Sequence, residues 1–182
     1  LILILTACSS KAPSAFTKVD KVPTVFPDYT NITVPCNIAP MNFLIDQEAD
    51  RYLTVLESES GKVSIKGKKV CIPRSKWQAL TRSPQITVSV YTRNKGQWSA
   101  YSPFSINVSD EIDPFISYRI IMPSVECYER LSINERDLTS FSEKVIYSNE
   151  MVQVTDKGQC INCHHYRNYG TDNMQFHARQ YM

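Results

Sequence analysis

Between positions 41 and 108 the chain is written in short runs in which apolar residues alternate with polar ones. Ile86-Thr87-Val88-Ser89-Val90-Tyr91-Thr92 is the clearest of them. A period of two sends every second side chain to the same face, which is the pattern of a strand buried on one side. Comparable runs at 41–45, 52–57, 62–66, 69–72, 97–101 and 104–108 bring the expected strands to seven within about 70 residues. That density predicts a mainly β chain whose first domain is a small antiparallel β-sandwich of immunoglobulin or fibronectin type. A single helical turn is expected at 75–80, with Trp77 and Leu80 on one side as a plug over the core. Asn94-Lys95-Gly96-Gln97 reads as a turn between strands.

The flanks of this region follow other rules. Residues 9–40 hold five of the ten prolines (Pro13, Pro23, Pro27, Pro35 and Pro40) and little periodicity. They read as an extended tether that becomes ordered near Phe26. Downstream, Asp110-Glu111-Ile112-Asp113-Pro114 marks a boundary, because Pro114 biases its predecessor away from helix. Residues 115–147 mix apolar and charged positions without a long helical period, and no internal repeat is visible. The expected organisation is a signal-peptide remnant over 1–8, the tether over 9–40, the β-sandwich over 41–110, and an irregular α+β segment over 111–182.

Composition narrows the function classes. The chain has 182 residues, 42% hydrophobic and 21% charged, which excludes a disordered tail and a collagen-like fibre. Twenty Lys and Arg against eighteen Asp and Glu leave a net charge of +2 with no basic stripe, so no nucleic-acid partner is expected. No carboxylate pair or nucleophile-base pair at a suggestive spacing supports hydrolase chemistry. The expectation is an electron carrier or a structural module rather than an enzyme.

The first residues carry an address. The apolar run Leu1-Ile2-Leu3-Ile4-Leu5 precedes Thr6-Ala7-Cys8-Ser9-Ser10-Lys11. This looks like the end of a signal peptide, and the Leu-Thr-Ala-Cys order resembles the bacterial lipobox, in which the cysteine is acylated. Cys8 is therefore the candidate lipidation site, against the plainer reading of a buried strand with an ordinary cysteine. No other segment approaches the roughly 20 apolar residues of a membrane helix. The expected setting is the cell envelope of a Gram-negative bacterium, with the protein anchored in the outer membrane. The absence of a charged run after Cys8 favours a periplasm-facing orientation.

Chemistry is concentrated near the C-terminus, where His164, His165 and His177 fall close together. Cys160-Ile161-Asn162-Cys163-His164 has the spacing of a c-type haem attachment site. Two thiols three positions apart each add to a vinyl group, and the following imidazole meets the iron as proximal ligand. By composition alone such a string arises in about three of a thousand chains like this one. The candidate cofactor is haem c, bound through Cys160, Cys163 and His164. The sixth iron ligand is His177 or Met174, since His165 is too close to His164 to reach the opposite face. His177 gives a low-potential iron and Met174 a higher one. Tyr166, Arg167, Tyr169 and Arg179 are candidates to pair with propionates, or else solvated surface.

Two alternatives stand beside haem: a disulfide between Cys160 and Cys163, and a zinc held by Cys160, Cys163, His177 and His164 or His165. Either makes the cluster a staple in a scaffold with no cofactor chemistry. Cys36, Cys71 and Cys127 are an odd set, giving one bridge or three buried thiols.

With these residues in place, a resemblance emerges. Phe26-Pro27-Asp28-Tyr29, Asn37-Ile38-Ala39-Pro40-Met41-Asn42-Phe43, Ile112-Asp113-Pro114 with Tyr118-Arg119, the Cys-x-x-Cys-His string and Met174-Gln175-Phe176-His177-Ala178-Arg179 resemble a group of Gram-negative envelope lipoproteins. That group combines an N-terminal β-domain, a Cys-x-x-Cys-His segment and a C-terminal TolB-like β-propeller. The resemblance spans roughly residues 24–182 and implies architecture more strongly than activity. It also implies that the sequence is an N-terminal part, since the family continues through a Gly-rich stretch into the propeller. The implied partners are the membrane, through Cys8, and a redox or envelope protein.

Overall fold

The computed structural model describes residues 12–121, 131–151 and 159–180. The protein is mainly β and divides into two compact units after Ile112. Among the described residues no helix is long and apolar enough to cross a membrane.

Unit 1 contains β1 (Thr17–Val19), β2 (Val25–Phe26), β3 (Thr33–Pro35), β4 (Phe43–Ile45), β5 (Arg51–Ser58), β6 (Gly61–Lys66), β7 (Lys69–Val70), the helix α1 (Arg74–Leu80), β8 (Gln85–Asn94), β9 (Gln97–Tyr101) and β10 (Phe104–Ser109). The alternating segment expected at 85–92 is β8, the centre of a seven-stranded sheet. One edge of β8 pairs with β5, which in turn pairs with β6; the other edge is shared by β10 along its first half and β9 along its second. A second sheet, in the order β2-β4-β7, contributes Val25, Phe43, Ile45 and Val70 to the same core as Leu56, Ile86, Val88, Val90, Phe104 and Ile106 of the first. Burial of these side chains supplies the main driving force, at about 1.5–3 kcal/mol for a large aliphatic or aromatic one.

The helix α1 closes one side of that core. Its Trp77 and Leu80 are fully buried, and Trp77 Nε1 donates a 2.9 Å hydrogen bond to the carbonyl of Ile38. Two amides meet the carbonyl of Pro73, which starts the helix where a proline lacks nothing it needs. The turn from β8 to β9 has Lys95 at φ 47° and Gly96 at φ 85°, the paired left-handed conformation of a type I′ hairpin.

The N-terminal part of unit 1 departs from the tether expected over 9–40. Three strands lie within it: β1 pairs parallel with β9, β3 pairs parallel with β10, and β2 joins β4 in the second sheet. The sheets are thus not wholly antiparallel. The strands are two or three residues long and lie at sheet edges, where Pro35 is tolerated because no ladder bond is demanded of its nitrogen. Asn37 then fastens the far end of the unit: its Nδ2 donates to the carbonyl of Ile112 at 2.8 Å and its Oδ1 accepts from Ile112 N at 3.3 Å.

Unit 2 contains β11 (Phe115–Ile120), β12 (Ser132–Asp137) and β13 (Glu143–Ser148) in one antiparallel sheet, and β14 (Gln159–Tyr166) with β15 (Met174–Gln180) as a hairpin. Where an irregular α+β segment was expected, the described residues form strands joined by turns, with one 3₁₀ turn at Arg167–Tyr169. β11 carries apolar residues on both faces, which conceals its period: Phe115 and Ile116 are neighbours and both half-exposed.

Candidate functional site

The Cys-x-x-Cys-His string lies on β14, and its register with β15 decides which way each side chain faces. Tyr166 pairs with Met174, His165 with Gln175 and His164 with Phe176. A β-bulge then intervenes at Cys163, after which Asn162 pairs with His177 and Cys160 with Arg179. Directly paired residues share a face, and a bulge adds one residue to one strand, so the alternation of β14 shifts at Cys163. His164, Tyr166, Met174 and Phe176 accordingly fall on one face with the fully buried Ile161, and are half-buried. Cys163, His165, Gln175, His177 and Arg179 are exposed.

The inner face packs within unit 2. The rings of Tyr147 and Phe176 meet at 5.0 Å between centroids, and Ile161 N donates to Asn149 Oδ1 at 3.1 Å. His164 Nε2 stands 3.4 Å from the carbonyl oxygen of Ser117. Beside it opens a cleft of about 710 Å³, bounded by Phe115, Ile116, Ser117, Glu135 and Lys144 of the sheet and by His164, Tyr166 and Tyr169 of the hairpin. Ser117, Glu135 and Lys144 form one cross-strand row, in which Lys144 Nζ meets Glu135 Oε1 at 2.6 Å. Tyr169 guards the rim from an unusual backbone, at φ 58°, and its ring lies edge-on to His165.

The alternate positions of the same sheet hold a second polar cluster. Tyr118 OH donates to Glu143 Oε2, Asn134 Nδ2 donates to Glu143 Oε1 at 2.6 Å, and Arg136 Nη1 approaches the carboxylate at 3.9 Å. The Tyr118 and Asn134 hydrogen bonds, with the Arg136 charge, hold the Glu143 carboxyl below the usual carboxylate range, and the same carboxylate raises Tyr118.

The sequence-derived site residues are therefore brought together only in part. His164 stands at the lip of a cleft of cofactor size with aromatic walls, and the exposed Cys163 is its neighbour in sequence, which suits the proximal side of a haem. The two distal candidates stand elsewhere on the hairpin. His177 faces away from His164 across the hairpin, and Met174 stands beside His164 on the same face, about 7–8 Å apart as a diagonal cross-strand neighbour. The side chain of Cys160 lies outside the described residues. An extended strand advances ~3.3 Å per residue, so positions three apart stand up to about 10 Å from one another, against the roughly 4.4–6.8 Å between the Cα atoms of a disulfide. A disulfide thus requires residues 160–163 to coil more tightly than an extended strand does.

Among the described residues no three His, Cys, Asp or Glu side chains gather as a metal site. Cys8 and Cys127 lie outside the described residues. Cys36 is half-buried and Cys71 exposed, both as free thiols, which corrects the expectation of three buried or bridged ones. Alternation explains Cys71, since its predecessor Val70 is the residue turned into the core. Phe115, Ser117, Glu135 and Lys144 had no signal in the sequence, because strands 20–50 positions away deliver them to the cleft. No family model, curated protein or solved structure matches the chain in comparison with known proteins.

Proposed function

We propose that the protein is a lipid-anchored, periplasm-facing module that carries a covalent haem on Cys160 and Cys163, with His164 as proximal ligand, for one-electron transfer or redox sensing. The observation that carries this reading is the Cys-x-x-Cys-His spacing. The exposure of Cys163 and the aromatic cleft beside His164 support it. When bound, haem supplies a one-electron iron couple whose potential follows its axial ligation and burial. His164 would hold the iron, Phe115 and Tyr166 would form the cleft wall beside the macrocycle, and Lys144, paired with Glu135, would be a cleft cation for a propionate. His177 and Met174 would not join His164 in holding the iron, because the hairpin puts His177 on the other face and Met174 beside His164.

A second reading is favoured by the approach of His164 Nε2 to the Ser117 carbonyl: the imidazole is a packing group, and the protein a non-enzymatic envelope scaffold. The resemblance to envelope lipoproteins with a TolB-like propeller accommodates both readings. The two sheets around one core support the finer reading of unit 1 as an immunoglobulin- or fibronectin-like sandwich.

Absorbance of protein made with a haem-attachment pathway separates the two functions. Soret and α bands that survive acid-acetone extraction, and vanish in Cys163→Ser, are the expected result. Wild type as colourless as Cys163→Ser refutes the haem reading. A metal staple shows instead as stoichiometric zinc that is lost in His177→Ala.

A further inference from the structure

We propose that unit 1 sits directly on an anionic bilayer surface, with the β8–β9 turn and the chain entering β1 against the lipid headgroups. This rests on the lipid-anchor reading of Cys8. A tether running from 9 to 40 would let the body range about 110 Å from the membrane at full extension. The structure shortens that leash, because Pro13 and Phe16 already line a cleft of about 590 Å³ with Gly96, Gln97 and Trp98, and β1 is paired from Thr17 onward. Only four peptide units separate Cys8 from Ala12, a reach of at most about 14 Å. Unit 1, with 112 residues, is roughly 34 Å across by the usual scaling of compact chains. An anchor shorter than half the body's width keeps the anchored corner at the membrane.

The chemistry of that corner matches the surface it meets. Arg51, Arg93 and Trp98 form one cross-strand row, with Lys95 at the turn and Lys18 on the neighbouring strand. Two arginines directly opposite each other repel unless an anion is shared. Among the described residues none of Lys18, Arg51, Arg93 and Lys95 is in an ion pair; Arg93 Nε donates to the Gly96 carbonyl. Asp50, an acid beside the row, accepts from Lys95 N at 2.9 Å, and Asp20 follows two positions after Lys18. The Arg93 guanidinium lies 5.9 Å from the Trp98 ring, and Phe16 is 42% exposed against Tyr91. Half-exposed aromatic rings among cations are the composition of a headgroup-level contact.

Tryptophan fluorescence tests this directly, since the chain has two tryptophans and Trp77 is fully buried. The full-length lipoprotein, matured in a host that acylates it, is placed in phosphatidylethanolamine vesicles containing phosphatidylglycerol. We expect Trp98 to lose about threefold in iodide quenching relative to soluble Cys8→Ser protein, and to be quenched by shallow spin-labelled lipid. Trp98→Phe removes the signal, and joint Arg51→Glu, Arg93→Glu and Lys95→Glu substitution restores iodide access. Mass-verified acylated protein whose Trp98 is as open to iodide as in Cys8→Ser overturns the inference and leaves the anchor reading standing. Unmodified Cys8 overturns the anchor and the inference together. Equal protection on vesicles without anionic lipid overturns the headgroup assignment.

Discussion

Trp77 is the largest fully buried side chain among the described residues, and its replacement has separable costs. Trp77→Ala deletes a fully buried indole from the core that α1 closes. Large aromatic-to-alanine changes in cores cost about 3–5 kcal/mol. The carbonyl of Ile38, which accepts from Nε1 at 2.9 Å, is then left without its partner, adding about 1–3 kcal/mol. Trp77→Phe keeps most of the ring and loses chiefly the hydrogen bond, so about 1–3 kcal/mol is expected. Domains of this size hold only about 5–15 kcal/mol in total, and each kcal/mol moves the melting point by roughly 4 °C or more. Calorimetry and urea titration followed by circular dichroism should therefore rank wild type, Trp77→Phe and Trp77→Ala in falling order. The alanine variant should melt at least about 15 °C lower or fail to fold. If Trp77→Ala loses no more stability than Trp77→Phe, or less than about 1 kcal/mol, the view of α1 as a plug in the shared core is wrong.

Three further outcomes follow from the same geometry. His177→Ala should leave the absorption spectrum of a haem-loaded protein unchanged, whereas His164→Ala should shift its bands; a spectral change in His177→Ala would show that the hairpin faces are not arranged as described. Because the Glu143 carboxyl is held below its ordinary range in the folded state, its contribution to unit 2 is present above about pH 4.3 and is lost as pH falls through the depressed value. Acid titration should find Glu143→Gln less sensitive to pH in that window, and coincident profiles would refute the Tyr118 and Asn134 hydrogen bonds as its cause. Asn37→Ala removes both bonds to Ile112, at about 0.5–1.5 kcal/mol each before solvent compensation, and should speed exchange of the Ile112 amide several-fold in hydrogen-deuterium measurements.

The parts of the fold legible in the sequence are those whose pattern is local. Ile86, Val88 and Val90 repeat at two and form the buried face of β8; Trp77 and Leu80 repeat at three and form the buried face of α1. β1, β2 and β3 are too short to show any period, and their prolines resemble a linker because edge positions accept what a central strand rejects. The candidate site was legible as a list of residues and not as an arrangement. Simple alternation along 160–166 would put His164 on the face of Asn162, whose partner is His177, and the two imidazoles would then be neighbours. The bulge at Cys163 reverses this by one residue, and nothing in Cys160-Ile161-Asn162-Cys163-His164 announces it.

The most direct test of the central proposal is mass spectrometry of the peptide spanning Cys160 to His164, from protein purified out of a host that attaches haem. One macrocycle bonded to both thiols is the predicted result. Unmodified thiols in that host, on folded protein, contradict it and leave a structural module.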